Sequence, residues 1–125
     1  MTGVVLDTGA LIALDRADRT MAVLIAEARS TNATLTVPAG CVAQAWRNPS
    51  RQARLSSFLR LTNVDVVPID VGEARRFGLL LSATETSDVV DAHVAICAHR
   101  LDRTVFTSDP KDIRRLGPNL KIRKI

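Results

Sequence analysis

Three aspartates stand where their chemistry can be combined. Asp7 follows the apolar run Gly3, Val4, Val5, Leu6. Asp109 follows Thr104, Val105, Phe106 by way of Thr107 and Ser108, and Asp91 lies inside a strongly apolar stretch that ends near Ala98. The two apolar runs read as short buried strands, so two strands deliver an acid at their carboxyl ends. In an open parallel sheet the crevice beyond those ends is where ligands bind, and Asp7 and Asp109 are neighbours there if their strands are adjacent. Asp88 and Asp91 are three apart and share one face of a helix. Convergent carboxylates repel one another unless a cation sits among them.

Each acid taken alone also has an ordinary structural explanation. Asp7 and Asp88 precede helix-like segments and can cap them, and Asp109 before Pro110 can cap a short helix Pro110 to Leu116. Capping and cation binding are compatible. Asp91 is harder to explain away, because an unpaired carboxylate near the buried side of an apolar helix costs several kcal/mol. Asp15, Asp65, Asp102 and Asp112 read as surface residues.

The elements that position these acids alternate in type. Strands are expected near residues 3 to 6, 34 to 37, 64 to 67, 104 to 106 and 121 to 124, with helical patterns between them, which predicts an α/β fold with a mostly parallel five-stranded sheet. Pro38 suits the start of a helix carrying Val42, Ala45 and Trp46. Asn48-Pro49-Ser50 breaks that helix before a second one from Arg51 to Leu61. Asp70 and Glu73 make a variant capping box for a helix from Val71 to Leu81.

At 125 residues, with 46% hydrophobic and 24% charged side chains, the chain reads as one globular domain spanning residues 1–125. The net charge of +4 is uneven: residues 100 to 125 hold eight Lys or Arg against three Asp, and a second basic cluster is Arg47, Arg51, Arg54 and Arg60. Such patches attract polyanions. With three Phe, one Trp and no Tyr there are few rings for base stacking, so nucleic acid would be held through phosphates and hydrogen bonds. The absence of a long apolar span or a basic-then-apolar leader predicts a cytoplasmic protein, and Cys41 and Cys97 read as buried, reduced thiols. His93 and His99 are six apart and belong to no zinc pair. Neither a phosphate-binding glycine loop nor a nucleophile elbow is present.

In this setting the sequence resembles the PIN-domain ribonucleases, in particular the VapC-type toxins of toxin–antitoxin pairs. The resemblance rests on Asp7-Thr8-Gly9-Ala10-Leu11 after the first strand, Asp91-Ala92-His93-Val94-Ala95 on a helix, and Thr107-Ser108-Asp109 after a later strand. It covers nearly the whole chain. A receiver domain, which also gathers acids around Mg²⁺, wants paired acids after the first strand, where Asp7 stands alone.

The resemblance implies a Mg²⁺- or Mn²⁺-dependent endoribonuclease cutting RNA such as tRNA or rRNA, with Asp7 and Asp91 as principal ligands and Asp109 holding a second metal or a water. It also implies a VapB-type antitoxin whose C-terminal segment, often with an Arg, enters the cleft, and a homodimer. The apolar helices near residues 20 to 28 and 51 to 61 offer surfaces for either partner, or bury their apolar faces in the monomer core. The family usually carries a Glu where this chain has Gln44. An amide supplies a carbonyl oxygen but no charge, so Gln44 would act as a weak ligand or orient water, and Asp88 would restore the missing charge. The alternative is a weakly active or inactive PIN-like module that binds RNA or a partner.

Overall fold

The structure is a computed structural model and describes residues 3–125. Among these, five strands alternate with seven helices: β1 Gly3–Leu6, α1 Thr8–Asp15, α2 Arg19–Ser30, β2 Thr34–Pro38, α3 Ala39–Ala45, α4 Ala53–Phe58, β3 Val64–Val67, α5 Val71–Thr84, α6 Val89–Leu101, β4 Thr104–Thr107, α7 Pro110–Leu116 and β5 Ile122–Lys124. All strands are parallel, in the order β3-β2-β1-β4-β5. The expected α/β class and five-strand count hold.

The order explains where a site belongs. After β1 the chain builds outward through β2 and β3, then returns to add β4 on the other side of β1. The order in which strands are added therefore reverses between β1 and β4, and the crevice at their carboxyl ends is the place where a doubly wound sheet binds ligands. The register pairs Leu6 with Phe106, and the Asp7 amide donates to the Phe106 carbonyl at 3.3 Å. Asp7 and Thr107 thus leave the sheet side by side.

Central strands β1, β2 and β4 are covered on both faces, so Val4, Val5, Leu6, Leu35, Val37 and Val105 are buried together with Leu11, Met21, Leu55 and Ile113 from the helices. Burial of this set supplies the main stabilisation, on the order of 1.5–3 kcal/mol for each large side chain. Edge strand β3 is only half covered, and Val66 is exposed.

Several boundaries depart from expectation. The helix expected from Arg51 to Leu61 is a short 3₁₀ turn, Pro49–Arg51, followed by α4, because Gln52 leaves helical geometry (φ −119°, ψ 42°). Its buried side chain accepts from the Arg47 and Asn48 amides and donates to the Ala45 carbonyl and to Asp15. Asp15 is accordingly not a free surface acid: it is half-buried and also accepts from the Leu55 amide at 3.3 Å, tying α1 to α4. Asp70 caps α5 through the Glu73 amide at 2.7 Å as expected. The Glu73 carboxylate does not reach back to complete the box, because it is buried and paired with Arg76 and Arg100.

Candidate metal centre

The end of β1 converts an apolar strand into a helix at Asp7. Its carboxylate accepts from the Ala10 amide at 2.9 Å and so caps α1, using Oδ1. The residue is 8% exposed. Burial raises its pKa, opposed by the Thr107 hydroxyl and by the Ala10 and Gly9 amides, with the Asp109 charge pushing the same way as burial. Thr107, fully buried at the end of β4, also accepts from the Asp109 amide at 2.9 Å. One hydroxyl thereby couples the turn after β4 to the acid after β1, a role not assigned to Thr107 from the sequence.

Gly9 brings the same two turns into contact. A Cβ built there would lie 2.1 Å from Ser108 Oγ, so only a residue without a side chain lets Ser108 lie over the first turn of α1.

Asp91 enters from α6, where it is half-buried. Its pKa is pushed up to about 6, first by burial and then by the charges of Asp88, Asp112, Asp7 and Asp109 in that order. The acids expected from two strand ends and one helix therefore do share one electrostatic environment. Asp88 occupies the N-cap of α6 and accepts from the Asp91 amide at 2.9 Å, so its capping role holds while its charge still reaches Asp91.

Asp109 departs from the capping expectation. It sits at the N-cap position of α7 but makes no side-chain cap bond; its carboxylate instead meets Asp112, whose pKa that contact raises. Asp112 is exposed, as expected of a surface residue, and its charge also reaches Asp91. Its spacing of three from Asp109 on α7 repeats that of Asp88 and Asp91 on α6, and this was the signal available in the sequence. Asp88, Asp91 and Asp112 line a cavity of about 310 Å³ together with Thr86, Ser87 and Arg115.

Gln44, on α3, is exposed and its Oε1 accepts from the Thr8 hydroxyl at 2.6 Å. The buried Cys41 thiol, one turn earlier on α3, lies against the same hydroxyl. Burial, with the charges of Asp7 and Asp91, pushes its pKa up to about 12, so the thiol stays protonated at neutral pH. Cys41 and Cys97 are both buried and free.

Among the described residues, no three His, Cys, Asp or Glu side chains are drawn tightly enough together to enclose a metal ion. The donor set nonetheless suits a hard cation. Asp7, Asp91 and Asp109 form no ion pair with Lys or Arg among those residues, where the ion pairs involve Glu73 and Asp102 only. Asp7 and Asp88 each commit Oδ1 to a cap, and burial, with the neighbouring aspartate charges, holds Asp91 partly towards its neutral form.

The sequence matches the PIN domain over residues 4–117. The chain belongs to the PIN-domain family, whose members are generally nucleases and typically use divalent metal ions. Among solved structures it is similar to VapBC2 from Rickettsia felis, bound to a DNA fragment from its promoter, with a TM-score of 0.71, 17% identity, and 97% of each chain covered. It is also similar to FitAB bound to the IR36 DNA fragment, with a TM-score of 0.62, 15% identity, and 97% of this chain and 94% of the other covered. A search of curated proteins gives no match. Among the described residues no helix is long and apolar enough to cross a membrane.

Proposed function

We propose that this PIN domain is the ribonuclease toxin of a VapBC-type pair, acting on RNA in the cytoplasm with Mg²⁺ or Mn²⁺. The observation that carries the reading is the acidic group where the strand order reverses: burial and the Asp109 charge raise the proton affinity of Asp7, burial and the neighbouring aspartates raise that of Asp91, and Asp7, Asp91 and Asp109 form no ion pair with Lys or Arg among the described residues. Asp7 and Asp91 would hold the ion, Asp109 would hold a second ion or a water, and Asp88 and Asp112 would add charge at the rim. Such an ion supplies Lewis acidity, activating water for attack on phosphorus and neutralising charge that builds on the phosphate. The chain's own part is positional. Asp7 is fixed by the Ala10 amide and the Thr107 hydroxyl, and Thr107 in turn holds the Asp109 backbone.

A substrate polyanion would be drawn by the basic residues Arg47, Arg51 and Arg54 around the start of α4 and Lys111, Arg114 and Arg115 on α7. For the antitoxin, the groove between α2 and α4 is the surface we favour. It has a volume of about 570 Å³ and is lined by Ile25, Ala26, Phe58 and Leu61, with Arg29 and Arg54 also on its wall. Its size and apolar lining suit an amphipathic segment. A homodimer is the expected assembly.

The test is cleavage of total RNA by purified protein in Mg²⁺ or Mn²⁺. Chelator and Asp7→Asn are expected to abolish it, and cutting that persists in Asp7→Asn overturns the assignment. The second reading, a PIN-like module that binds RNA or a partner, is favoured by Gln44 standing where the family usually has an acid. RNA binding without metal-dependent cleavage would establish it.

A further inference from the structure

Gln44 has a geometry that a weak cation ligand does not require. Its Oε1 is taken by the Thr8 hydroxyl at 2.6 Å. That hydroxyl has one proton to give and the amide oxygen takes it, so this bond sets which end of the amide faces Thr8. What remains for the solvent-exposed side is the NH₂ group, with two donors and no acceptor.

The surroundings say which ligand suits those donors. Thr8 directly follows Asp7, so the NH₂ lies beside a cleft whose carboxylates repel phosphate. Two uncharged donors there can hold an anionic oxygen without adding a further negative charge to Asp7, Asp91 and Asp109. Arg47, three residues on, folds its guanidinium back onto the Ala43 and Trp46 carbonyls at 2.9 and 3.0 Å, which fixes a positive charge at the same end of α3. Donor and cation thus belong to the same end of α3, the pairing that a backbone phosphate needs.

We infer that Gln44 is a substrate-positioning residue: Thr8 orients its amide, and its N–H groups hold a non-bridging oxygen of an RNA phosphate at the cleft, so that it serves the substrate and not the cation. The inference rests on the nuclease reading for the identity of the substrate, and its test separates the two. With RNA cleavage measured against both RNA and Mn²⁺ concentration, Gln44→Ala is expected to raise KM for RNA by roughly 3–10-fold. It should leave kcat and the Mn²⁺ half-saturation near wild type. Gln44→Glu, which keeps the acceptor for Thr8 and replaces the donors by charge, should raise KM further.

A ligand role predicts the opposite split: a shifted Mn²⁺ half-saturation in Gln44→Ala, tighter Mn²⁺ in Gln44→Glu, and an unmoved KM at saturating Mn²⁺. That result, or no change in either quantity, overturns the proposal. Anisotropy of a fluorescein-labelled single-stranded RNA, measured on Asp7→Asn protein with and without Gln44→Ala, gives the answer without turnover. Weaker binding in the double variant supports the proposal, and equal binding overturns it. If the wild-type protein cuts no RNA, the nuclease reading falls, while the anisotropy still decides the role of Gln44.

Discussion

Two buried acids in this molecule are treated in opposite ways. Glu73, 7% exposed between α5 and α6, is matched by Arg76 and Arg100, whose side chains reach solvent. Asp7, 8% exposed at the end of β1, has no such partner among the described residues and lies within the field of Asp109 and Asp91. The acid at the helix interface is neutralised by the fold itself, whereas the acids at the strand ends are left to be neutralised by something else. Burial alone does not mark a functional acid; burial without a counter-charge does.

Substituting both acids breaks the comparison most sharply. Asp7→Asn is expected to lower metal-dependent RNA cleavage by at least roughly 100-fold, the scale on which even outer-shell partners of metal sites act. Glu73→Gln should leave the cleavage chemistry intact once the protein is folded. A cleavage loss of similar size in Glu73→Gln would remove the distinction between the two sites. Next in size is Gly9→Ala, in which the new methyl displaces Ser108 and spreads the turns after β1 and β4. A loss of about tenfold in cleavage is expected, since small misplacements of reacting groups are costly. The melting temperature should change little, and an unchanged rate would show that the contact of the two turns is incidental.

Stability separates the acids more gently. Glu73→Gln should cost about 1–2 kcal/mol in urea unfolding, the value of charge-assisted bonds discounted for two solvent-reaching arginines. Asp91→Asn should instead stabilise the metal-free protein at pH 7, because it removes a charge that burial and four neighbouring aspartates disfavour. The sign of the pH dependence follows. The folded pKa of Asp91, about 6, lies above its ordinary 3.8, so the folded state takes up the proton first, and the penalty, full above pH 6, shrinks as pH falls below 6 and is gone only near 3.8. In chelator, the difference in melting temperature between Asp91→Asn and wild type is expected to shrink from pH 7 to pH 5. A difference that grows over that range would contradict the assigned repulsion.

Much of this was legible in the chain. The acids of β1, α6 and β4 were visible because a buried strand or an apolar helix leaves few reasons for a carboxylate, and the alternation of strands and helices carried the parallel sheet. The adjacency of β1 and β4 was not, since strand order is a tertiary property that no local pattern encodes. Asp112 is exposed as expected, but its link to Asp109 was passed over because each position on α7 was weighed alone, although its spacing from Asp109 equals that of the Asp88–Asp91 pair. Asp15 was passed over because its partners, Gln52 and the Leu55 amide, are 37 and 40 residues away. The expected cap at Asp109 failed for a similar reason: local sequence permits the bond, but the carboxylate turns towards Asp112.

The central claim is that the carboxylates at the carboxyl ends of β1 and β4, with Asp91 between them, together hold a divalent cation. Calorimetric titration of chelator-stripped protein with Mn²⁺ tests it most directly. Saturable binding is expected in the wild type and in Glu73→Gln, and its loss is expected in both Asp7→Asn and Asp91→Asn. Equal Mn²⁺ binding in all four proteins, or none in the wild type, would contradict it.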